Sequence, residues 1–133
     1  MPIKRSSFLL IAALSVILLS VAAIVLKSYY DSAENADTDR KSAMGFALSE
    51  PVIDALERFK GAKGKYPQNL RELVPEFIEK NPQKEENSEI KFTYFPDDQN
   101  NAYRLRFTYG TRYGAYDCYF ASKNSQWSCG GTM

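Results

Sequence analysis

Residues 8–26 read FLLIAALSVILLSVAAIVL, a stretch with no charged side chain and only two polar ones, Ser15 and Ser20. As a helix with a rise of about 1.5 Å per residue it would be about 28 Å long, close to the roughly 30 Å hydrocarbon core of a bilayer. The stretch predicts a transmembrane anchor helix over residues 8–27, followed by a remainder of about 100 residues, which is enough for one domain.

The charges on either side of the apolar stretch predict its orientation. Lys4 and Arg5 precede it, whereas acidic residues dominate the segment between Lys27 and Arg40. Basic residues before a first span hold that end in the cytoplasm. We therefore expect a single-pass inner-membrane protein of a Gram-negative bacterium, with residues 1–7 in the cytoplasm and the C-terminal domain in the periplasm.

A cleaved secretory signal peptide is the alternative interpretation of the same stretch. Its apolar region would be Phe8–Leu19, and Ser20-Val21-Ala22 has the small-x-small pattern of a cleavage site. The apolar run continues to Leu26, and this spanning length favours an uncleaved anchor. Both interpretations place the remaining domain outside the cytoplasm.

The two cysteines, Cys118 and Cys129, both lie in the translocated part. In an oxidising compartment an even number of cysteines usually forms disulfides, so we expect a bridge between them. The alternative is two free thiols buried as small apolar side chains. A zinc site is less favoured, because the chain has no histidine and two cysteines leave such a site short of ligands.

Charge and length limit the classes of function. The formal net charge is +1, with 17 basic and 16 acidic residues spread along the chain. There is therefore no basic field that would attract nucleic acid. Residues 28–42 are polar and contain neither glycine nor proline, which is typical of a helical stalk or a flexible tether. The domain itself is expected over residues 43–133.

Two helical patterns follow the polar segment. In the first, apolar residues recur at helical spacing from Val52, with Ser49 as a candidate N-cap and Pro51 in the first turn, and the helix should stop at Gly61. The second has Asn69 as its cap, with Pro75 as a kink or break. Its predicted buried face consists of Leu70, Leu73, Val74, Phe77 and Ile78.

After residue 89 the period of the apolar residues changes from helical to alternating. Runs rich in aromatic residues, separated by turn residues, predict an antiparallel meander. One face of the second run should cover the helices and the other, with Arg104, Arg106 and Thr108, should face water. A turn at Lys123-Asn124 would place Cys118 opposite Cys129. The runs are 90–94, 103–109, 116–120 and 126–129.

These patterns together predict an α+β fold: an N-terminal transmembrane helix, then one or two helices packed on a three- to four-stranded antiparallel meander. The segments that join helix and sheet also carry a family resemblance. ALERFK at 55–60, GKYP at 64–67 and NLRELVP at 69–75 resemble the type IV pilin-like family, and most of all the major pseudopilins of type II secretion. The matching positions are Leu56, Gly64, Tyr66, Pro67, Leu70 and Leu73.

The resemblance implies a pilin-like domain, but the processing motif of that family is displaced. Pilin-like precursors carry Gly-Phe-x-x-x-Glu directly before the apolar run, where a peptidase cuts and the Glu pairs with a neighbouring subunit. Here Ser6-Ser7 precedes Phe8, and the run itself contains no acid. Met44–Glu50 spells the motif, but it lies after the apolar run and no span-length stretch follows it, so we interpret it as a coincidence.

Few residues suggest catalysis or ligand binding. Without histidine no Ser-His or Cys-His nucleophile can form. We interpret the helical carboxylates as part of a solvated face on which they pair with basic residues. We expect no enzyme activity, no cofactor and no metal. The oxygen-rich loop Asp97–Asn101 is an ordinary turn or, as pseudopilins often bind calcium in loops of their sheet, a calcium loop. Tyr113 and Tyr119 are candidate exposed contacts for a partner.

The expected function is that of a membrane-anchored, non-enzymatic subunit or adaptor of an envelope assembly of the secretion or pilus type. Its partners would be membrane lipid through residues 8–27 and envelope proteins, including a second copy of the chain. Small residues at Ala13 and Ser20, and at Ser15 and Ala22, repeat at seven residues and would allow close helix approach. The alternative is a tethered periplasmic binding module, an inhibitor or ligand sensor, in which the helix only anchors.

Overall fold

The computed structural model describes the backbone of residues 5–84 and 89–132 and the side chains of 11–83 and 89–131. Most of the predicted cytoplasmic segment 1–7 lies outside the described residues. The chain divides into two compact units, residues 1–37 and residues 38–133. In order, the elements are helix α1 (Arg5–Lys63), 3₁₀ turns at Leu70–Leu73 and Pro82–Lys84, and strands β1 (Ile90–Pro96), β2 (Tyr103–Thr111), β3 (Gly114–Ala121) and β4 (Gln126–Thr132).

The α+β class with a helix followed by an antiparallel meander is confirmed. The strands pair in the order β1-β2-β3-β4, each antiparallel to the next. The alternation in β2 sorts the faces as expected, because Tyr103, Leu105, Phe107 and Tyr109 are all buried. Residues from the C-terminal part of α1, among them Val52 and Leu56, share one core with that face.

Helix α1 corrects the prediction of a separate helix capped by Ser49. Residues 28–42 are helical, and the same helix continues through Ser49 and Pro51. The buried Ser49 hydroxyl donates to the Gly45 carbonyl at 2.6 Å instead of capping a new helix. Pro51 removes only one backbone donor, so the surrounding turns hold. The helix also ends at Lys63 rather than at Gly61.

The unit that contains the sheet begins at Thr38, earlier than the boundary expected at residue 43. Two basic side chains account for this. Arg40 forms an ion pair with Glu89 at 2.9 Å, and the Lys41 ammonium donates to the carbonyl of Gly110 at 3.2 Å. Part of the segment expected to be a stalk is thus attached to the sheet.

Close approach of α1 to the sheet depends on Gly45. A Cβ atom there would lie less than 3.0 Å from three ring carbons of the buried Phe107. The neighbouring Phe46 packs edge-on against Phe107 and Trp127, with ring centroids 5.1 and 5.0 Å apart. The Gly-Phe pair of the displaced motif therefore has a packing role in the helix–sheet core.

The prediction of a second helix is wrong, because a single 3₁₀ turn, Leu70–Leu73, forms in its place. Asn69 does cap it: its side chain accepts from Arg71 N at 3.1 Å, and the Glu72 carboxylate accepts from Asn69 N in return. The turn stops at Val74, whose backbone is extended at φ −93° and ψ 137°. Pro75 disfavours a helical conformation for the residue before it, and it has no N–H to donate to the Arg71 carbonyl.

The Cys118–Cys129 disulfide is present and joins β3 to β4. The two residues are direct cross-strand partners with Cα atoms 4.1 Å apart, as in the narrow, non-hydrogen-bonded type of antiparallel pair. The last paired residues before the turn are Ala121 and Gln126, so the loop is longer than the two residues expected. Cys118 is fully buried, whereas Cys129 is exposed on the outer strand.

Gly64 ends α1 in the left-handed conformation, with φ +79°, and its N–H donates to the Lys60 carbonyl at 2.8 Å. Gly64, three residues after the predicted stop at Gly61, thus caps the C-terminal end of the helix.

Substitution of Gly64 by alanine is expected to lower the free energy of unfolding by about 1 kcal/mol, because a Cβ at positive φ is strained. No atom lies within 4 Å of the Cβ position, so the loss reflects backbone strain alone. Urea unfolding of the full chain in detergent measures it. An unchanged midpoint would show that the left-handed turn is not required.

Candidate functional site

The N-terminal part of α1 presents a continuous apolar surface. It is the one helix among the described residues that is long and apolar enough to cross a membrane. From Ile11 to Leu26 every residue is exposed. These side chains are not covered by any described residue of their unit, and burying each large one in lipid or against another helix is favourable by about 1.5–3 kcal/mol.

The polar groups of this segment are compatible with lipid. The Ser15 hydroxyl donates to the Ala12 carbonyl and the Ser20 hydroxyl to the Ile17 carbonyl, both at 2.8 Å. Neither hydroxyl therefore needs water or another chain as a partner.

Tyr29 and Tyr30 follow the apolar run, and the sequence reasoning missed them. They are 70% and 58% exposed and pack edge-on against each other at 6.1 Å. Tyrosines just beyond a span are typical of the membrane–water interface. The signal that could have found them is their position two and three residues after Lys27, at the end of the predicted anchor.

Five of the six positions of the family resemblance, all but Gly64, are buried in the domain. Leu56, Leu70 and Leu73 are fully buried, and Tyr66 is 3% exposed. Tyr66 packs edge-on against Tyr103 at 4.7 Å, and its hydroxyl donates to the Glu57 carboxylate at 2.8 Å. Two further hydrogen bonds, each of 2.8 Å, hold this segment: Tyr66 N donates to the Asn100 carbonyl, and Tyr94 Oη donates to the Pro67 carbonyl.

This cluster predicts that stability declines in alkaline solution. Burial, and then the hydrogen bond and negative charge of Glu57, raise the pKa of Tyr66 from 10.0 to about 12. Burial also raises the pKa of Tyr94 and of Tyr103. The folded state thus holds these protons more tightly than the unfolded state. The contribution of these tyrosines to the free energy of unfolding is therefore fully present below about pH 10 and falls as the pH rises through 12.

In the Tyr66→Phe variant, the free energy of unfolding should decrease less steeply with pH in alkaline solution. At pH 7 it should be lower than in the parent by about 1 kcal/mol, because a hydrogen bond is lost. The measurement is urea unfolding at several pH values. Tyr113→Phe is the control, because that side chain is 70% exposed and should change neither quantity. An identical alkaline slope in Tyr66→Phe and the parent would contradict the prediction.

The two tyrosines expected to contact a partner lie apart. Tyr113 is exposed at the tip of the β2–β3 hairpin, beside the Arg112 guanidinium. Tyr119 lies farther along β3, roughly 17 Å from Gly114 at the start of that strand. It is half-buried on the sheet face that points away from α1. The structure does not join the two residues into one site.

The sheet face away from α1, which we call the outer face, instead joins Tyr119 to Phe95, Arg104 and Arg106. The Arg106 guanidinium lies 5.7 Å from the ring centre of Phe95 and 5.8 Å from that of Tyr119. Arg104 lies 5.8 Å from the Phe95 ring. Grooves of about 260 and 480 Å³ flank Arg104, and both include Phe95 and Ala121. Alternation predicted the two arginines on this face but not their stacking.

The Asp97–Asn101 loop is accounted for as a turn. The Asp97 carboxylate accepts from Asn101 N at 2.7 Å, and Asn100 adopts the left-handed conformation with φ 55°. Partial desolvation opposes ionisation, but the backbone N–H groups of Asn101 and Ala102 and the charge of Lys123 outweigh it and lower the pKa of Asp97. The described residues contain no group of three or more acidic or cysteine side chains that could hold a metal ion.

Three carboxylates of the helical region, Asp54, Glu57 and Glu72, have structural partners. Asp54 forms an ion pair with Arg58 at 2.9 Å, as expected from their spacing on α1. Arg58 also donates to the Phe77 carbonyl at 2.6 Å, which attaches the segment after the 3₁₀ turn to the helix. Glu57 accepts from Tyr66, and Glu72 caps the 3₁₀ turn.

The chain matches no protein-family model, no curated protein and no solved structure at a significant level.

Proposed function

We propose that this protein is a membrane-anchored, non-enzymatic subunit or adaptor of an envelope assembly, pilin-like in its domain and similar in kind to the pseudopilins of type II secretion. The anchor lies in the inner membrane of a Gram-negative bacterium, with the N-terminus in the cytoplasm and the disulfide-bonded domain in the periplasm. The partners are lipid and envelope proteins, including a second copy of this chain.

One observation carries the proposal: the same helix, α1, contains the exposed apolar segment and contributes side chains to the core of the sheet domain. Its first part exposes large apolar side chains such as Ile17 and Leu18, while its last part buries Val52 and Leu56 in the domain. The first part of such a helix offers a surface for lipid or for another helix. The charge distribution of the flanks and the disulfide support the orientation.

Cysteine cross-linking along the anchor tests self-association. Single cysteines are placed from Ala13 to Ala23 in the full chain, with and without a co-expressed secretion apparatus. We expect dimers at positions that recur at helical spacing. A cysteine at the exposed Lys80 serves as the control for random collision. Monomers alone at every anchor position would overturn self-association.

The outer face with Phe95, Arg104, Arg106 and Tyr119 favours a second candidate, a tethered binding module. Replacement of residues 8–27 by an unrelated transmembrane sequence separates the two. The assembly subunit should lose function after this exchange, because its helix makes specific contacts. The binding module should keep function, because its helix only anchors.

A further inference from the structure

We propose that the outer face binds an extended, acidic segment of a partner protein, with carboxylates on alternate residues paired to Arg104 and Arg106. This inference goes beyond the proposed function and does not depend on self-association of the anchor helix, since it uses only residues of the sheet.

Among the described residues, the outer face carries more positive than negative side chains. Three basic side chains, Lys91, Arg104 and Arg106, project from β1 and β2, whereas the acid opposite them on β3 is Asp117. Asp117 already accepts a hydrogen bond of 2.5 Å from the Thr108 hydroxyl. The face is therefore electrostatically complementary to an anionic partner.

Arg104 and Arg106 differ from Arg40 and Arg58 in what they contact. Arg40 and Arg58 are paired with carboxylates. In contrast, Arg106 donates to two neutral oxygens, Thr93 Oγ1 at 3.2 Å and Tyr119 Oη at 3.5 Å, and its Nε is buried without an acceptor. No described carboxylate pairs with Arg104. The Arg106 guanidinium is thus held by two rings and two hydroxyl groups, and the Arg104 guanidinium lies beside the Phe95 ring.

The spacing of these guanidinium groups favours an extended peptide. Arg104 and Arg106 are two residues apart on β2, so their Cα atoms are about 6.7 Å apart along the strand. Alternate residues of an extended peptide have the same spacing and point to the same side. Carboxylates match the planar fork of arginine in bidentate pairs. The residues between the carboxylates would face away from the sheet.

The aromatic side chains on the outer face favour a protein segment over a lipid surface. Phe95 is 37% exposed and lies in both grooves beside Arg104. Such grooves accommodate the aliphatic parts of peptide side chains, and aromatic residues with arginine are typical of protein interfaces. An anionic membrane surface would require neither grooves nor a fixed spacing of charges.

The test uses the full chain in neutral phosphatidylcholine nanodiscs and a short fluorescent peptide in which glutamate alternates with threonine. We expect saturable, salt-sensitive binding, and a loss of affinity of about tenfold or more in Arg104→Gln/Arg106→Gln. Arg71→Gln/Lys80→Gln removes the same charge from exposed positions off the sheet and should change the affinity less than twofold. The single variant Arg104→Gln changes only one exposed side chain. Its affinity for the peptide still tests the proposal if the double variant fails to fold.

Two further ligands decide what the face recognises. A peptide with the same number of glutamates placed three residues apart should bind about tenfold more weakly, because successive carboxylates then point to opposite sides of the extended chain and only one guanidinium can be matched at a time. Phosphatidylglycerol vesicles should not compete with the alternating peptide. Absence of binding, equal affinity for both peptides, or displacement by the vesicles would each overturn the proposal.

Discussion

Reduction of the Cys118–Cys129 disulfide is expected to lower the free energy of unfolding by about 3 kcal/mol. The bridged cysteines are 11 residues apart in sequence. Opening a loop of this size raises the chain entropy of the unfolded state, which lowers the free energy of unfolding by about 3 kcal/mol. The exposed Cys129 gives a reductant access in the folded domain. Trp127, the single tryptophan, packs 5.4 Å from Phe120 and 5.3 Å from Phe107, so its fluorescence follows unfolding in urea.

The double variant Cys118→Ala/Cys129→Ala is the control for the disulfide experiment. It should be about as unstable as the reduced parent, and added reductant should leave it unchanged. If the oxidised and reduced parent unfold at the same urea concentration, the bridge does not stabilise the domain, and the account of the β3–β4 hairpin is wrong.

Gly45→Ala is expected to destabilise the domain by about 2 kcal/mol through overpacking, although alanine forms helices better than glycine by about 1 kcal/mol. The new methyl group would overlap the ring of Phe107. That ring is fully buried and packs against Phe46 at 5.1 Å and Trp127 at 5.3 Å, so it has little room to move.

Gly61 in the same helix provides the matched control. No atom lies within 4 Å of the Cβ position there, so Gly61→Ala should gain up to about 1 kcal/mol from helix propensity alone. Urea unfolding of both variants, followed by tryptophan fluorescence, gives the comparison. Equal stability of the two variants would mean that α1 and the sheet are not in close contact at Gly45.

The sequence was sufficient to predict the features that local pattern determines. The alternation in β2 sorted Leu105 inward and Arg104 outward, and the cross-strand pairing of Cys118 with Cys129 followed from the position of the last turn. These predictions succeeded because a strand has a period of two and a hairpin fixes its own register.

Helix boundaries could not be predicted, because they depend on competition between local signals and tertiary contacts. Ser49 and Pro51 look like a helix start, yet Ser49 bonds back to Gly45 inside a longer helix. The apolar spacing after Asn69 suggests a helix, but Pro75 limits it to one 3₁₀ turn. The packing of Phe107 against Gly45 joins residues far apart in sequence, and no local pattern encodes such a contact.

The candidate site was predicted only in part. Tyr113 and Tyr119 stay predicted contact residues; the structure places Tyr119 beside Arg106 on the outer face and Tyr113 at the tip of the β2–β3 hairpin. The grouping of Phe95, Arg104 and Arg106 requires the pairing of β1 with β2, which a sequence pattern alone does not specify.

The central claim is that the apolar helix stays in the membrane and holds the domain in an oxidising compartment. Thiol labelling of fractionated cells tests it directly: membranes are washed in alkaline carbonate, and the full-length chain is treated with a mass-tagged maleimide before and after reduction. We predict that the chain remains in the membrane pellet and that Cys118 and Cys129 take up the tag only after reduction. A full-length chain in the soluble cytosolic fraction, with both cysteines labelled before reduction, would contradict the account.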